Sequence, residues 1–158
     1  MPIDENFKQF GTRPHEGLEV LSYAECLRLL QMTRLGRVAL SVGALPAVFP
    51  VHFALLGPDP VFRTEAGTKL SAASAGNVVC LEIDDADTEN LAGWCVMVTG
   101  PAEVLADPLD LALAHKLPLR PWVGKGDHFV RIRAAEVSGR QVRSPYPGRR
   151  SNMEATDS

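Results

Sequence analysis

Residues 47–70 read AVFPVHFALLGPDPVFRTEAGTKL. Strict alternation from Ala47 to Leu55 predicts a long strand. Ala47, Phe49, Val51, Phe53 and Leu55 share one face and are assigned to the core, while Val48, Pro50, His52 and Ala54 share the other. Proline has no N–H to give a ladder, so Pro50 predicts an edge or bulge, open to a ligand or a second chain. The turn signal Gly57-Pro58-Asp59-Pro60 ends this strand, and Pro60 to Thr64 is its partner. A short helix is expected over residues 67–75, with Gly67 or Thr68 at its start.

The same texture continues on both sides. Upstream, Arg37 to Val42 is a short strand closed by Gly43-Ala44. Before it, Ser22 followed by Glu25 has capping-box spacing. Cys26, Leu29 and Leu30 give the resulting helix an apolar stripe, and Gly36 is read as its stop. Downstream, strands are expected over Asn77–Asp84, over Gly93–Leu105 with a bend at Gly100-Pro101, and over Asp127–Val137 with Gly139–Val142 as its end. Asp85–Leu91 is a polar loop, and Leu117–Gly126 is irregular. Asp107 followed by Pro108 opens a helix to about Lys116. Six or so strands at hairpin spacing, with short helices and no βαβ rhythm, predict a mainly β fold: a small antiparallel barrel, closed or partly closed. The domain spans residues 18–143, with a flexible arm at 1–17 and a disordered tail at 144–158.

Composition narrows the function classes. The 158 residues are 46% hydrophobic and 22% charged, ordinary for a globular domain, and the net charge is −3. That balance leaves no broad basic field for nucleic acid. No apolar run approaches the roughly 18 residues that cross a bilayer. The polar first 17 residues lack the apolar core of a signal peptide, so a cytoplasmic location is expected. Cys26, Cys80 and Cys95 lack zinc-site spacing and read as small buried hydrophobes. His15, His52, His115 and His128 are scattered, and no metal site is expected. The acidic run from Asp84 to Glu89 lacks the glycine and terminal glutamate of a calcium loop. Arg131 and Arg133 alternate on one strand face, as interface or pocket residues or as a merely exposed face. No nucleophile elbow or Walker loop is present.

Phe62 to Leu70 carries the most chemical information. A strand ending in Arg63-Thr64 and a helix start at Gly67-Thr68-Lys69 bring two cations and two hydroxyls near free backbone N–H groups, as an anion site requires. A solvated turn bearing two surface cations fits the spacing equally well. Alternation puts Arg63 and Thr64 on opposite faces, so both reach one phosphate only if the strand end curls. Trp122, in an irregular segment, reads as a pocket wall, whereas Trp94 reads as packing.

These residues carry a resemblance. P-x-V-x-P-V-x-F (Pro46 to Phe53), then F-R-T-x-x-G-x-K-L (Phe62 to Leu70), V-x-x-E-I-D (Val79 to Asp84), G-W-x-V-x-V-x-G (Gly93 to Gly100) and W…H-F-V-R-I…G-R (Trp122 to Arg140) occur in one order. Together they resemble the pyridoxamine 5′-phosphate oxidase-like, FMN-binding split-barrel family, in its small actinobacterial-type members. The resemblance covers about Leu21 to Val142. It implies a six-stranded antiparallel split β-barrel with flanking helices. It further implies a homodimer with FMN at the subunit interface and a flavin-dependent oxidoreductase acting on a small molecule. In it, Arg63, Thr64, Thr68 and Lys69 hold the phosphate. The ring lies along Val48, Phe49, Pro50, Val51 and His52, where relatives often carry Asn in place of His52. Related groups bind F420 or haem, so an F420-dependent reductase and a flavin or haem carrier or sensor without turnover are the alternatives. The C-terminal arginine and histidine pattern of true pyridoxamine phosphate oxidases is absent, so vitamin B6 oxidation is not expected.

Overall fold

The computed structural model describes residues 17–144, Val123 excepted. The expected arm and tail therefore fall almost wholly outside the described residues. The elements run β1 (Leu18–Val20), α1 (Tyr23–Met32), β2 (Leu35–Val42), β3 (Leu45–Leu56), β4 (Asp59–Thr64) and α2 (Thr68–Ser74). They continue with β5 (Val78–Asp87), β6 (Ala92–Val104), α3 (Pro108–Ala114), β7 (His128–Ile132) and β8 (Glu136–Val142).

Six strands close a ring. In order it is β2-β3-β4-β7-β6-β5, returning to β2, with every pairing antiparallel. β8 and β1 lie outside the ring, paired in series on the N-terminal part of β6. Two long strands make the split. β6 gives Gly93–Thr99 to β8 and then, past Gly100-Pro101, gives Ala102–Val104 to β7. β3 pairs Leu45–His52 with β2, but only Phe53–Leu56 with β4. Among the described residues the other edge of β3 is thus unpaired through Pro50, the place where a missing N–H costs nothing. The bend expected at Gly100-Pro101 is the point where β6 changes partner.

Alternation fills the interior. Val38, Val51, Phe53, Phe62, Leu81, Ile83, Val96, Val98, Val130 and Ile132 are nearly fully buried, and Cys26, Leu29 and Leu30 of α1 close one end. A smaller cluster, centred on Val61, Leu105, Ala114 and Phe129, seats α3. Ser22 caps α1 by accepting from the Glu25 N–H at 3.2 Å. The Glu25 carboxylate turns to Arg28 instead of closing the reciprocal box.

Several expected boundaries shift. Gly36 does not stop α1. The helix ends at Met32, with the Thr33 N–H and hydroxyl both donating to the Leu29 carbonyl. Gly36 lies inside β2, where a side chain would meet Leu81 and the Glu82 carbonyl at about 3 Å. The loop expected from Asp85 is a hairpin: β5 runs to Asp87, whose carboxylate accepts from the N–H groups of Glu89 and Asn90. The single last strand is two, because the chain leaves the barrel between Ile132 and Glu136. Arg131 is buried, not exposed. It is held by Glu103 and Asp110 at 2.5 and 2.9 Å, and Arg133 joins the same cluster. Glu82 has the arginine partner expected of a half-buried carboxylate, Arg37 at 3.5 Å, and burial still holds its carboxyl above the usual range. Among the described residues no helix is long and apolar enough to cross a membrane.

Candidate functional site

β4 ends at Thr64 and α2 begins at Thr68, so the four residues between Arg63 and Thr68 must turn sharply. Gly67 makes the turn at φ 151°, a conformation side chains rarely adopt. The turn encloses a cavity of about 190 Å³ beside β3. Arg63, Thr64, Thr68 and Lys69 all line it, so the strand end does curl enough to bring Arg63 and Thr64 to one space. Phe49, Val51 and Trp122 form its apolar wall. The helix α2 has only seven residues and no side-chain cap at its start, so the cationic side chains dominate the electrostatics.

The two cations differ. Arg63 is half-buried. Its Nε and Nη2 donate to the carbonyls of Gly126 and Lys125 at 2.9 and 3.3 Å, and its guanidinium lies 5.3 Å from the centre of the Phe129 ring. Lys69 places its Nζ 4.8 Å from the centre of the Phe49 ring. Burial pushes the Lys69 ammonium below the usual lysine range. Among the described residues no carboxylate comes within ion-pair distance of either cation. A half-buried ammonium with only a ring face beneath it is under-compensated, since desolvation is offset only when an opposite charge is supplied.

The aromatic wall extends through His52, whose ring centre is 5.3 Å from that of Trp122 at an interplanar angle of 33°. Val48 and Pro50 are exposed on the opposite face of β3 and do not line the cavity. The structure thus gathers Phe49, Val51, Arg63, Thr64, Thr68, Lys69 and Trp122, adds His52 through Trp122, and leaves Val48 and Pro50 outside. Glu65 and Ala66 also line the cavity and were missed by sequence reasoning, and of the two Glu65 is the polar one. Its Oε1 accepts from the Lys125 N–H at 2.7 Å. The available signal was a carboxylate directly after Arg63-Thr64, but its partner lies 60 residues away. Trp94 packs against the main core as expected. Burial raises the thiols of Cys26, Cys80 and Cys95, which suits inert packing residues. Among the described residues no group of ligands could hold a metal ion.

The fold is thus a closed six-strand ring split at β6, with a cationic cavity where β4 meets α2. The family model described as pyridoxamine 5′-phosphate oxidase matches residues 22–141. The chain belongs to the pyridoxamine 5′-phosphate oxidase family. It is 36% identical over 137 residues to the uncharacterized protein Rv0080 of Mycobacterium tuberculosis, covering 82% of this chain and 90% of that one. A solved FAD-binding protein from Mycobacterium smegmatis is 38% identical, with a TM-score of 0.68, over 78% of this chain and 98% of that chain. An FAD-binding protein from Mesorhizobium loti is 26% identical, with a TM-score of 0.64, over 79% and 98%. The FAD and heme binding protein of M. smegmatis, at 19% identity and a TM-score of 0.62, shares the fold alone over 82% of this chain and 74% of that chain. Solved proteins that share this fold with the chain are thus named as FAD-binding.

Proposed function

We propose that this chain binds a flavin nucleotide and serves as a flavin-dependent oxidoreductase for a small molecule. One observation carries the reading. Arg63 and Lys69 converge with two threonine hydroxyls on a cavity walled by Phe49, Val51 and Trp122, and neither cation has a carboxylate partner among the described residues. A phosphate joined to a flat apolar ring system matches that donor set: cations and hydroxyls at one end, aromatic and branched side chains at the other.

Each residue then has a task. Arg63 and Lys69 would neutralise the phosphate, and Thr64 and Thr68 would donate to its oxygens. Thr64 would first give up its contact with the Glu65 carbonyl, now 3.2 Å. Phe49, Val51 and Trp122 would exclude water from the ring. His52 would supply an imidazole able to hydrogen-bond to the ring. When bound, a flavin supplies hydride and electron transfer, chemistry that no side chain here provides alone. The reading includes a homodimer. The unpaired edge of β3 beside the cavity, with exposed Leu45 and Val48, supports a second copy completing the wall.

FMN satisfies the single phosphate cluster with nothing left over. FAD is the second reading, favoured by the naming of the 38%-identical protein of M. smegmatis as FAD-binding. Fluorescence titration with FMN, FAD and F420, and with riboflavin as the phosphate-free control, tests the assignment. A hydrogen bond to a charged group contributes about 1.5–3 kcal/mol, so the double variant R63A/K69A should bind FMN at least about 100-fold more weakly. Riboflavin binding should hardly change. Unaltered FMN affinity in that variant sinks the phosphate site. Absence of flavin binding by the wild-type protein sinks the whole reading.

A further inference from the structure

Glu65 is a carboxylate in a cavity otherwise suited to an anion, which needs a reason. It is exposed, so it is not there to fill a core. Its contacts point along the chain instead. Oε1 accepts from the Lys125 N–H at 2.7 Å, and Gly124, at φ +69°, lies so close that a side chain there would collide with the carboxylate. Arg63, two residues earlier on β4, grips the same stretch through the Lys125 and Gly126 carbonyls. One short segment thus offers its N–H to Glu65 and its carbonyls to Arg63. The charges match the backbone dipoles in both cases. Trp122 lies two residues before that segment in the chain; its ring centre is 5.3 Å from that of His52, and it is 48% exposed.

We propose that Glu65 is a positioning residue: it holds the segment 124–126 so that Trp122 stands as the aromatic wall of the cavity. The phosphate end and the ring end of the site are then mechanically joined, because Arg63 serves both the anion and the Trp122 segment. The inference rests on the flavin reading only for its effect on ligand affinity. The positioning of Trp122 can be measured without any flavin.

The test has two parts. In a W94F background Trp122 is the only tryptophan of the chain. Glu65→Ala should shift its emission to the red and make it more accessible to acrylamide. Glu65→Gln, whose amide oxygen still accepts from the Lys125 N–H, should leave both unchanged. The second part is a double-mutant cycle on riboflavin affinity. Glu65→Ala should weaken riboflavin roughly tenfold, within what one aromatic stacking contact contributes. It should have almost no further effect once Trp122 is already alanine. Circular dichroism establishes that each variant is folded. Trp122 emission and quenching unchanged by Glu65→Ala overturn the proposal, as does an undiminished Glu65→Ala effect in the Trp122→Ala protein. If the wild type binds no flavin, the proposed function fails, while the Trp122 emission still decides the positioning role.

Discussion

Gly100 sits where β6 passes from β8 to β7, and the consequence of filling it can be worked through. A Cβ built there would lie 1.7 Å from the Arg133 carbonyl oxygen, 2.9 Å from its carbon and 3.1 Å from the Ala135 nitrogen. These are backbone atoms and cannot rotate away. The oxygen would have to retreat by more than an ångström. It accepts from Ala135 at 2.7 Å, while the Arg133 N–H donates to Pro101 at 3.0 Å and the Ala134 N–H to Asp59 at 2.9 Å. Losing two or three such bonds costs about 1 kcal/mol each, and overpacking a tight site adds about 1–3 kcal/mol. Gly100→Ala should therefore destabilise the fold by about 3–6 kcal/mol, a large part of the usual stability of a domain. For a chain of this size that lowers the melting temperature by roughly 6–24 °C. Gly43→Ala is the control. Gly43 also needs glycine, at φ +60°, but nothing stands within 4 Å of its added Cβ. Its cost is backbone strain alone, about 1–2 kcal/mol. Scanning calorimetry of both variants decides the matter. Equal melting temperatures would refute the claim that the crossing at Gly100 depends on close backbone approach.

The buried Arg131 gives a second expectation. Arg131→Ala removes the arginine that Glu103 and Asp110 share, although Glu103 keeps Arg133 at 2.9 Å. Because both remain partly exposed, the full buried-pair penalty is reduced to about 2–3 kcal/mol. Adding Asp110→Asn should recover part of that loss in thermal melts, and strictly additive melting shifts would count against a shared charge cluster. Lys69 sets a pH dependence. Burial lowers its pKa, so as pH rises the ammonium is lost earlier than an ordinary lysine's would be. FMN affinity should accordingly fall on the alkaline side. In Lys69→Arg, whose charge persists, the fall should vanish, and an identical alkaline profile in that variant would exclude Lys69 as its source.

Much of this was legible in local pattern. Alternation in residues 47–55 placed Val51 and Phe53 in the core, and Pro50 on an unpaired edge, because both follow from the two-residue period of a strand and from the missing N–H of proline. Ser22, Asp107 and Pro108 marked helix starts because capping is satisfied within a few residues of chain. Gly36 was misread for the converse reason. Its small size answers β5, a neighbour more than forty residues away, and no local rule contains that contact.

The site divides along the same line. Chain order alone sets Arg63-Thr64 beside Gly67-Thr68-Lys69, a cationic, hydroxyl-bearing turn. It left open whether that turn was a site or a solvated bend, because strand alternation sends Arg63 and Thr64 to opposite faces. Convergence on one space comes from the tertiary structure. The curl at the end of β4 brings both to one cavity, β3 supplies Phe49 and Val51, and the distant segment around Lys125 brings Trp122 across to His52. Those partners are dozens of residues apart, and what joins them is closure of the ring. The same closure explains Arg131, which alternation placed on a strand face while β6 and α3 buried it among carboxylates. Local periodicity fixes which way a side chain points, but what it meets there depends on strands paired across the barrel.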